Sequence, residues 1–181
     1  VKEITVAPGN GFITYKREKE VIIDKNCSLK DTNSLLEIAK KYTPDLIDVA
    51  QDDALAGGTV DLLEKYGFRV FGPKREAAKI EWDKKWSREF MQRHNIPHPN
   101  FRYFENEKDG EQYVRDQYSK DPNKLIYIKA AGLCSGKGAL KSTNLDEALE
   151  NIKQMKKFPD EAGRTFLVEE GIEGEEFSYY A

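Results

Sequence analysis

The sequence predicts an α/β fold in two parts. An open parallel sheet flanked by helices occupies residues 1–100, and a smaller α+β unit built around a strand–glycine loop–strand hairpin follows. Three observations lead there. Short, β-prone apolar runs at 4–6, 21–23, 46–49 and 68–71 alternate with segments whose apolar residues recur at helical spacing, the pattern of a parallel sheet. Glycine or proline appears where three of those runs end, at 7–11, 51–58 and 72–73. Past residue 100 the order changes: the stretch 125–140, LIYIKAAGLCSGKGAL, sets a loop of small residues between two strands, with no helix directly after it.

Ile4-Thr5-Val6 is the first strand, stopped by Ala7-Pro8-Gly9-Asn10-Gly11, and Val21-Ile22-Ile23 is the second. Leu35, Leu36, Ile38 and Ala39 mark a helix behind the candidate N-caps Thr32 and Asn33. Residues 46–49 read as a buried strand and 51–58 as its exit loop; Val60, Leu62 and Leu63 belong to a helix closed by Gly67. A strand at 68–71 stops at Gly72-Pro73. Residues 74–94 read as one charged helix with Ile80, Trp82, Trp86, Phe90 and Met91 as its apolar residues, ended by Asn95-Ile96-Pro97. A strand at 101–104 and a helix at 111–118 precede the glycine unit. Leu145, Ala148, Leu149, Ile152 and Met155 then form a core stripe on a helix capped by Asn144 and Glu147. Strands at 165–170 and 177–181 complete the pattern. In an open parallel sheet, ligands bind outside the carboxyl ends of the strands, so the loops 8–11, 51–57 and 72–73 together suggest a small-molecule site.

Composition narrows the class of partner. With 34% charged residues, a net charge of −3 and a pI near 5.6, there is no bulk attraction to nucleic acid or acidic membranes. Cys27 and Cys134 lack metal-ligand spacing, and no apolar run approaches the ~18 residues of a membrane span, so a reducing cytoplasm is the expected setting. His94 and His98 are separated by helix-ending residues and make a poor metal pair.

The glycine loop carries Gly132, Gly136 and Gly138 with Lys129 before it and Lys137 within it. Glycines let backbone N–H groups close on an anion, and the lysines supply counter-charge for a polyphosphate. Both common nucleotide motifs fail. Ala131 stands where a P-loop needs its first glycine, and Gly138 stands where it needs Ser or Thr; no G-x-G-x-x-G is present. A P-loop also runs straight into a helix, whereas the next helix here starts only near Leu145. The loop is therefore a hairpin lid, and Lys129 on the strand ranks ahead of Lys137 on the loop as a phosphate ligand. Taken alone, Lys84 reads as a solvated surface lysine, Cys134 as a small lid residue, and Glu173, Glu175 and Glu176 as an acidic turn.

Five segments in order, VAPGNG at 6–11, DLIDVAQDDALAGGTVDLLEKYGFRVFGP at 45–73, EWDKKWSREFMQRHNIPHP at 81–99, IKAAGLCSGKGAL at 128–140 and FLVEEGIEGEEFSYYA at 166–181, resemble the ATP-grasp superfamily and, within it, the phosphoribosylamine–glycine ligase family of purine biosynthesis. The resemblance implies an incomplete Rossmann-like (pre-ATP-grasp) substrate domain at 1–100 with a helical linker at 74–95, the small ATP-grasp subdomain at 101–170, and the start of the central ATP-grasp domain at 171–181. It implies that the chain lacks the family's opening strand–loop–helix and its C-terminal catalytic half, so that these 181 residues alone are inactive.

The same resemblance assigns residues. Lys84 contacts ATP and Lys129 contacts ATP phosphate, with Lys129 the catalytic group, and Gly132, Ser135, Gly136, Lys137 and Gly138 form the phosphate lid. Glu169, Glu170 and Ile172 lie along the adenine, and Glu176, or alternatively Glu175, accepts from the ribose hydroxyls. Pro8, Gly9, Asn10, Gln51 and Asp52 fall in loops that help hold phosphoribosylamine, although many members have Gly-Pro-Glu where this chain has Gln51-Asp52-Asp53. The implied cofactors are ATP and Mg²⁺ (or Mn²⁺), with the metal ligands beyond residue 181, and the implied substrates are glycine and 5-phosphoribosylamine. The competing readings are another ATP-grasp carboxylate–amine ligase or carboxylase, and a nucleotide-binding module without catalysis.

Overall fold

The computed structural model describes residues 2–10, 12–13, 19–159 and 162–179. Gly11 of the first loop, and Tyr180 and Ala181 of the expected last strand, lie outside them. The chain divides into two compact units, 1–79 and 80–181. Among the described residues, no helix is long and apolar enough to cross a membrane.

The first unit is α/β with parallel pairing, as expected. Strand β1 (Glu3–Val6) pairs with β2 (Glu20–Ile23), Ile4 opposite Val21. Helix α1 (Thr32–Tyr42) follows and carries Leu36 and Ala39 into the core. Its cap is Asp31 rather than Thr32 or Asn33: the Asp31 carboxylate accepts from Asn33 N at 3.0 Å. Strand β3 (Ile47–Asp48) pairs in parallel with β4 (Val70–Phe71) as a separate two-stranded sheet. Both strands are shorter than the apolar runs suggest. Leu46 is exposed and only Val49 at the end of its run is buried.

The exit loop expected at 51–58 is instead helix α2 (Asp52–Gly57), with Asp52 and Asp53 in its positively polarised first turn and Ala54 and Leu55 buried. Gly58, left-handed at φ 83°, separates it from α3 (Thr59–Lys65), and Gly67 at φ 84° follows the end of α3 as the sequence predicts. Asp24, just past β2, is buried, accepting from Lys41 Nζ at 2.7 Å and Tyr42 Oη at 3.0 Å. The Lys41 and Asn26 N–H hydrogen bonds hold its carboxyl down at about 2.

Residues 74–94 form two helices rather than one, α4 (Arg75–Trp82) and α5 (Lys84–Arg93). The break is Asp83, whose extended backbone and carboxylate cap α5 by accepting from Trp86 N at 3.0 Å. Asn95, left-handed at φ 54°, follows the end of α5.

In the second unit, β5 (Phe101–Phe104), β6 (Ile126–Ala130), β7 (Ala139–Ser142) and β8 (Phe166–Glu170) form one antiparallel sheet in the order β5-β8-β6-β7. Helix α6 (Glu107–Lys120) begins a turn earlier than its apolar pattern indicates because Asn106 caps it. Helix α7 (Leu145–Gln154) is capped as read: Asn144 accepts from Glu147 N, and the Glu147 carboxylate accepts from Thr143 N at 2.7 Å. Val114 and Tyr118 of α6 and Ala148 and Ile152 of α7 pack with Ile126, Ile128, Phe166 and Val168 into one core. No strand forms over residues 177–179, where Phe177 and Tyr179 are exposed. A lone strand there has no described neighbour to satisfy its backbone groups.

Gly110 lets α6 lie close on this sheet. A Cβ at that position would stand 2.5 Å from Phe166 Cζ and 2.8 Å from Cε2, and Phe166 is buried with no room to move away. Gly110→Ala is therefore expected to destabilise the second unit by about 1–3 kcal/mol despite alanine's better helix propensity. Urea unfolding checks this, and equal or greater stability of the variant contradicts it.

Candidate functional site

The antiparallel register sorts the sheet into two faces. Ile126, Ile128 and Ala130 point at α6 and α7, so Tyr127 and Lys129 point the other way, and β8 places Leu167 and Glu169 opposite them on that same face. Lys129 and Glu169 are diagonal neighbours across the ladder, within reach of a long side chain. Helix α5 packs over this face and brings Arg88.

The result is a three-residue ionic cluster. Arg88 Nε donates to Glu169 Oε1 at 2.7 Å and Nη2 donates to Oε2 at 3.4 Å; Lys129 Nζ donates to the same Oε2. Glu169 is 1% exposed, whereas Arg88 and Lys129 are 18% and 21% exposed, so the carboxylate is sealed and the cations face outward. Burial pulls the Glu169 carboxyl up, but hydrogen bonds from Arg88 and Lys129 outweigh it and hold the group below the ordinary carboxylate range.

Lys84 opens α5 one turn before Arg88, and i,i+4 spacing puts both on one helix face. Its backbone N–H donates to Ala131 O at 2.9 Å and its Nζ to Gly132 O at 3.1 Å. The solvated lysine read from composition is thus half-buried at the root of the lid. Burial pushes its ammonium below the ordinary lysine range.

The lid is the β6–β7 hairpin the sequence predicts. Its root is tied on three sides: Ala130 N donates to Gly138 O at 2.8 Å, Ala131 N to Thr165 O at 2.9 Å, and Gly132 N to Ala162 O at 3.0 Å. Its tip is open. Ser135 and Gly136 are consecutive left-handed residues at φ 49° and 77°, and both are exposed, as is Lys137. Gly138 is required by packing, since a Cβ there would stand 2.8 Å from Cys134 Cβ. Cys134 is buried beneath the hairpin and burial raises its thiol pKa, which leaves it neutral and unsuited to nucleophilic attack.

The structure therefore brings Lys84, Lys129, Gly132 and Glu169 together, with Ser135, Gly136, Lys137 and Gly138 on the hairpin above. Within the second unit, Glu170, Ile172, Glu175 and Glu176 make no hydrogen bond to this cluster among the described residues. Glu170 accepts from Asn100 N at 2.9 Å and Asn100 Nδ2 at 2.8 Å, tying β8 to the start of β5. Ile172, Glu175 and Glu176 lie in an exposed segment after β8. In the first unit, Gly9 is left-handed at φ 62°, and Asn10 accepts from Phe12 N at 3.0 Å. Gln51 begins α2 and Asp52 is its first residue. No hydrogen bond joins Pro8, Gly9 or Asn10 to Gln51 or Asp52 among the described residues. Arg88 is absent from the sequence expectations, although its spacing from Lys84 is the signal that would have found it.

Because burial holds the Lys84 pKa down, the folded chain carries a charge penalty at that residue at neutral pH. The penalty is present below the lowered folded-state pKa and disappears above the unfolded-state value. Lys84→Met removes it and is expected to leave the thermal midpoint unchanged or raised. Calorimetry checks this; a fall of more than about 5 °C contradicts it.

Comparison with known proteins bears on the identity of both units. Residues 1–81 match the phosphoribosylglycinamide synthetase N domain, and residues 82–181 match the phosphoribosylglycinamide synthetase ATP-grasp (A) domain. The phosphoribosylamine–glycine ligase of Archaeoglobus fulgidus is 35% identical across 100% of this chain, which spans 39% of that relative's length. Among solved structures, the phosphoribosylamine–glycine ligase of Thermotoga maritima aligns over 96% of this chain and 39% of its own, with a TM-score of 0.65 at 23% identity. The D-alanine–D-alanine ligase of Bacillus anthracis aligns over 95% of this chain and 57% of its own, also at 0.65, with 18% identity. At such identities the structures show the fold alone; the two domain matches show more, and the chain belongs to the phosphoribosylglycinamide synthetase family.

Proposed function

We propose that the protein bearing this chain is an ATP-dependent carbon–nitrogen ligase that joins glycine to 5-phosphoribosylamine. The products are glycinamide ribonucleotide, ADP and phosphate. The observation that carries the ATP half is the convergence of Lys84 and Lys129 at the root of a glycine hairpin whose tip is open. In this reading ATP phosphorylates the glycine carboxylate to an acyl phosphate, and the amine of phosphoribosylamine then displaces phosphate from it.

That chemistry asks for charge neutralisation and alignment rather than a covalent nucleophile. Lys129 serves as the fixed positive charge at the phosphates, Lys84 as a second one, and Gly132, Ser135, Gly136, Lys137 and Gly138 as a closing cover that excludes water. The segment after β8, with Ile172, Glu175 and Glu176, is assigned to adenine and ribose. Glu169 and Glu170, which precede it on β8, are assigned to the adenine through their backbone groups, an assignment compatible with the engagement of the Glu169 side chain by Arg88 and Lys129. The first unit is assigned to phosphoribosylamine through Pro8, Gly9, Asn10, Gln51 and Asp52.

Among the described residues, no group of three or more His, Cys, Asp or Glu could hold a metal ion. When bound, Mg²⁺ (or Mn²⁺) would supply further charge neutralisation at the phosphates. A reducing cytoplasmic setting accompanies the proposal. The ATP-grasp fold is common to ligases with other acceptors, so what supports phosphoribosylamine is the match of residues 1–81 to the family's N domain.

The test is phosphate release by the full-length protein with ATP, glycine and freshly generated phosphoribosylamine, each omitted in turn. Release should require all three, and Lys129→Ala should lower turnover about a hundredfold or more with the unfolding midpoint unchanged. Release without glycine, or undiminished turnover in the variant, defeats the proposal.

A further inference from the structure

Glu169 is a buried carboxylate with two cationic partners from different elements, and the fork of Arg88 orients it. Arg88 Nε meets Oε1 and Nη2 meets Oε2, which leaves Oε2 a second lone-pair direction for Lys129. The arginine is itself held in place, with Nη1 3.6 Å from Met91 Sδ. Its charge matters as much as its geometry. Lys129 and Glu169 alone make a neutral pair, and a buried carboxylate with one partner competes with any incoming phosphate for the lysine. Arg88 brings the cluster to a net +1 and takes over much of that carboxylate's demand, so Lys129 can turn its ammonium to an anion.

We propose that Arg88 is a positioning residue of the ATP site: held on the same face of α5 as Lys84, it acts through Glu169 to place Lys129 and free its charge for polyphosphate. This rests on the reading of Lys129 as a phosphate ligand given above.

The experiment measures steady-state kinetics and unfolding midpoints of full-length Arg88→Gln, Arg88→Lys, Glu169→Gln, the double Arg88→Gln/Glu169→Gln, and Lys129→Ala. Arg88→Gln should raise KM for ATP at least about tenfold while KM for glycine stays within about twofold. Arg88→Lys, which keeps the charge but loses the fork, should recover only part of the loss, leaving KM for ATP between those of the parent and of Arg88→Gln. Because Arg88 acts through Glu169, the double variant should be no worse than the weaker single variant, a non-additive cycle. The double variant also removes the buried charge along with its partner. If Arg88→Gln alone does not fold, the comparison of the double variant with Glu169→Gln decides: equal KM values support the proposal, and a further tenfold loss overturns it. An ATP KM for Arg88→Gln within twofold of the parent also overturns it. Impaired Lys129→Ala beside unimpaired Arg88→Gln defeats only the positioning role, whereas unimpaired Lys129→Ala defeats the ATP-site reading with it.

Discussion

The second unit depends on one buried charge. Glu169 lies on a strand buried on both faces, where an unpaired carboxylate is not tolerated, and removing one partner of such a pair typically costs about 3–5 kcal/mol. Its partners come from β6 and α5, so satisfying it ties a strand of the lid hairpin to the helix that packs over the sheet. Replacing a buried ion pair by well-packed apolar side chains is often neutral or stabilising. An ion pair here instead leaves cationic side chains partly exposed at the root of a hairpin, which suits a site for phosphate more than it suits a core.

The lid follows the same division between fixed and free. Its root is bonded to the chain at Thr165 and Ala162 and to the backbone and side chain of Lys84. Its tip has two successive left-handed residues and open space around Gly136. The hinge positions Gly132 and Gly138 are both crowded, against Ala162 and Cys134, so their glycines answer to packing, whereas Gly136 answers to backbone conformation. The hydrogen bonds thus fall at the root, beside the strand that carries Lys129, and the exposed residues at the tip.

Much of this was legible in the sequence where local signals agree with tertiary demands. The Leu145–Met155 stripe, the Asn144 cap, the Gly67 terminus and the strand–loop–strand character of the glycine stretch all read directly from periodicity and punctuation. The failures have physical causes. Residues 51–58 look like a loop because Gly57-Gly58 and two aspartates dominate the composition, yet aspartates favour a helix's first turn and Gly58 only separates two helices. Residues 74–94 look continuous because Asp83 reads as one more surface charge, when its side chain caps a new helix. Lys84 shows neither its burial nor its partner in sequence, because both depend on Gly132, which lies in a distant hairpin. The pairing of Glu169 with Arg88 joins residues 81 apart, which no local pattern reveals.

In the proposed function the two lysines at the root of the hairpin meet polyphosphate. Acylation of the full-length protein by an amine-reactive ester, mapped residue by residue by mass spectrometry, tests it most directly. ATP should slow modification of Lys84 and Lys129 several-fold, adenosine should not, and exposed Lys153 on α7 should react equally in all cases. Equal labelling of Lys84 and Lys129 with and without saturating ATP would contradict it.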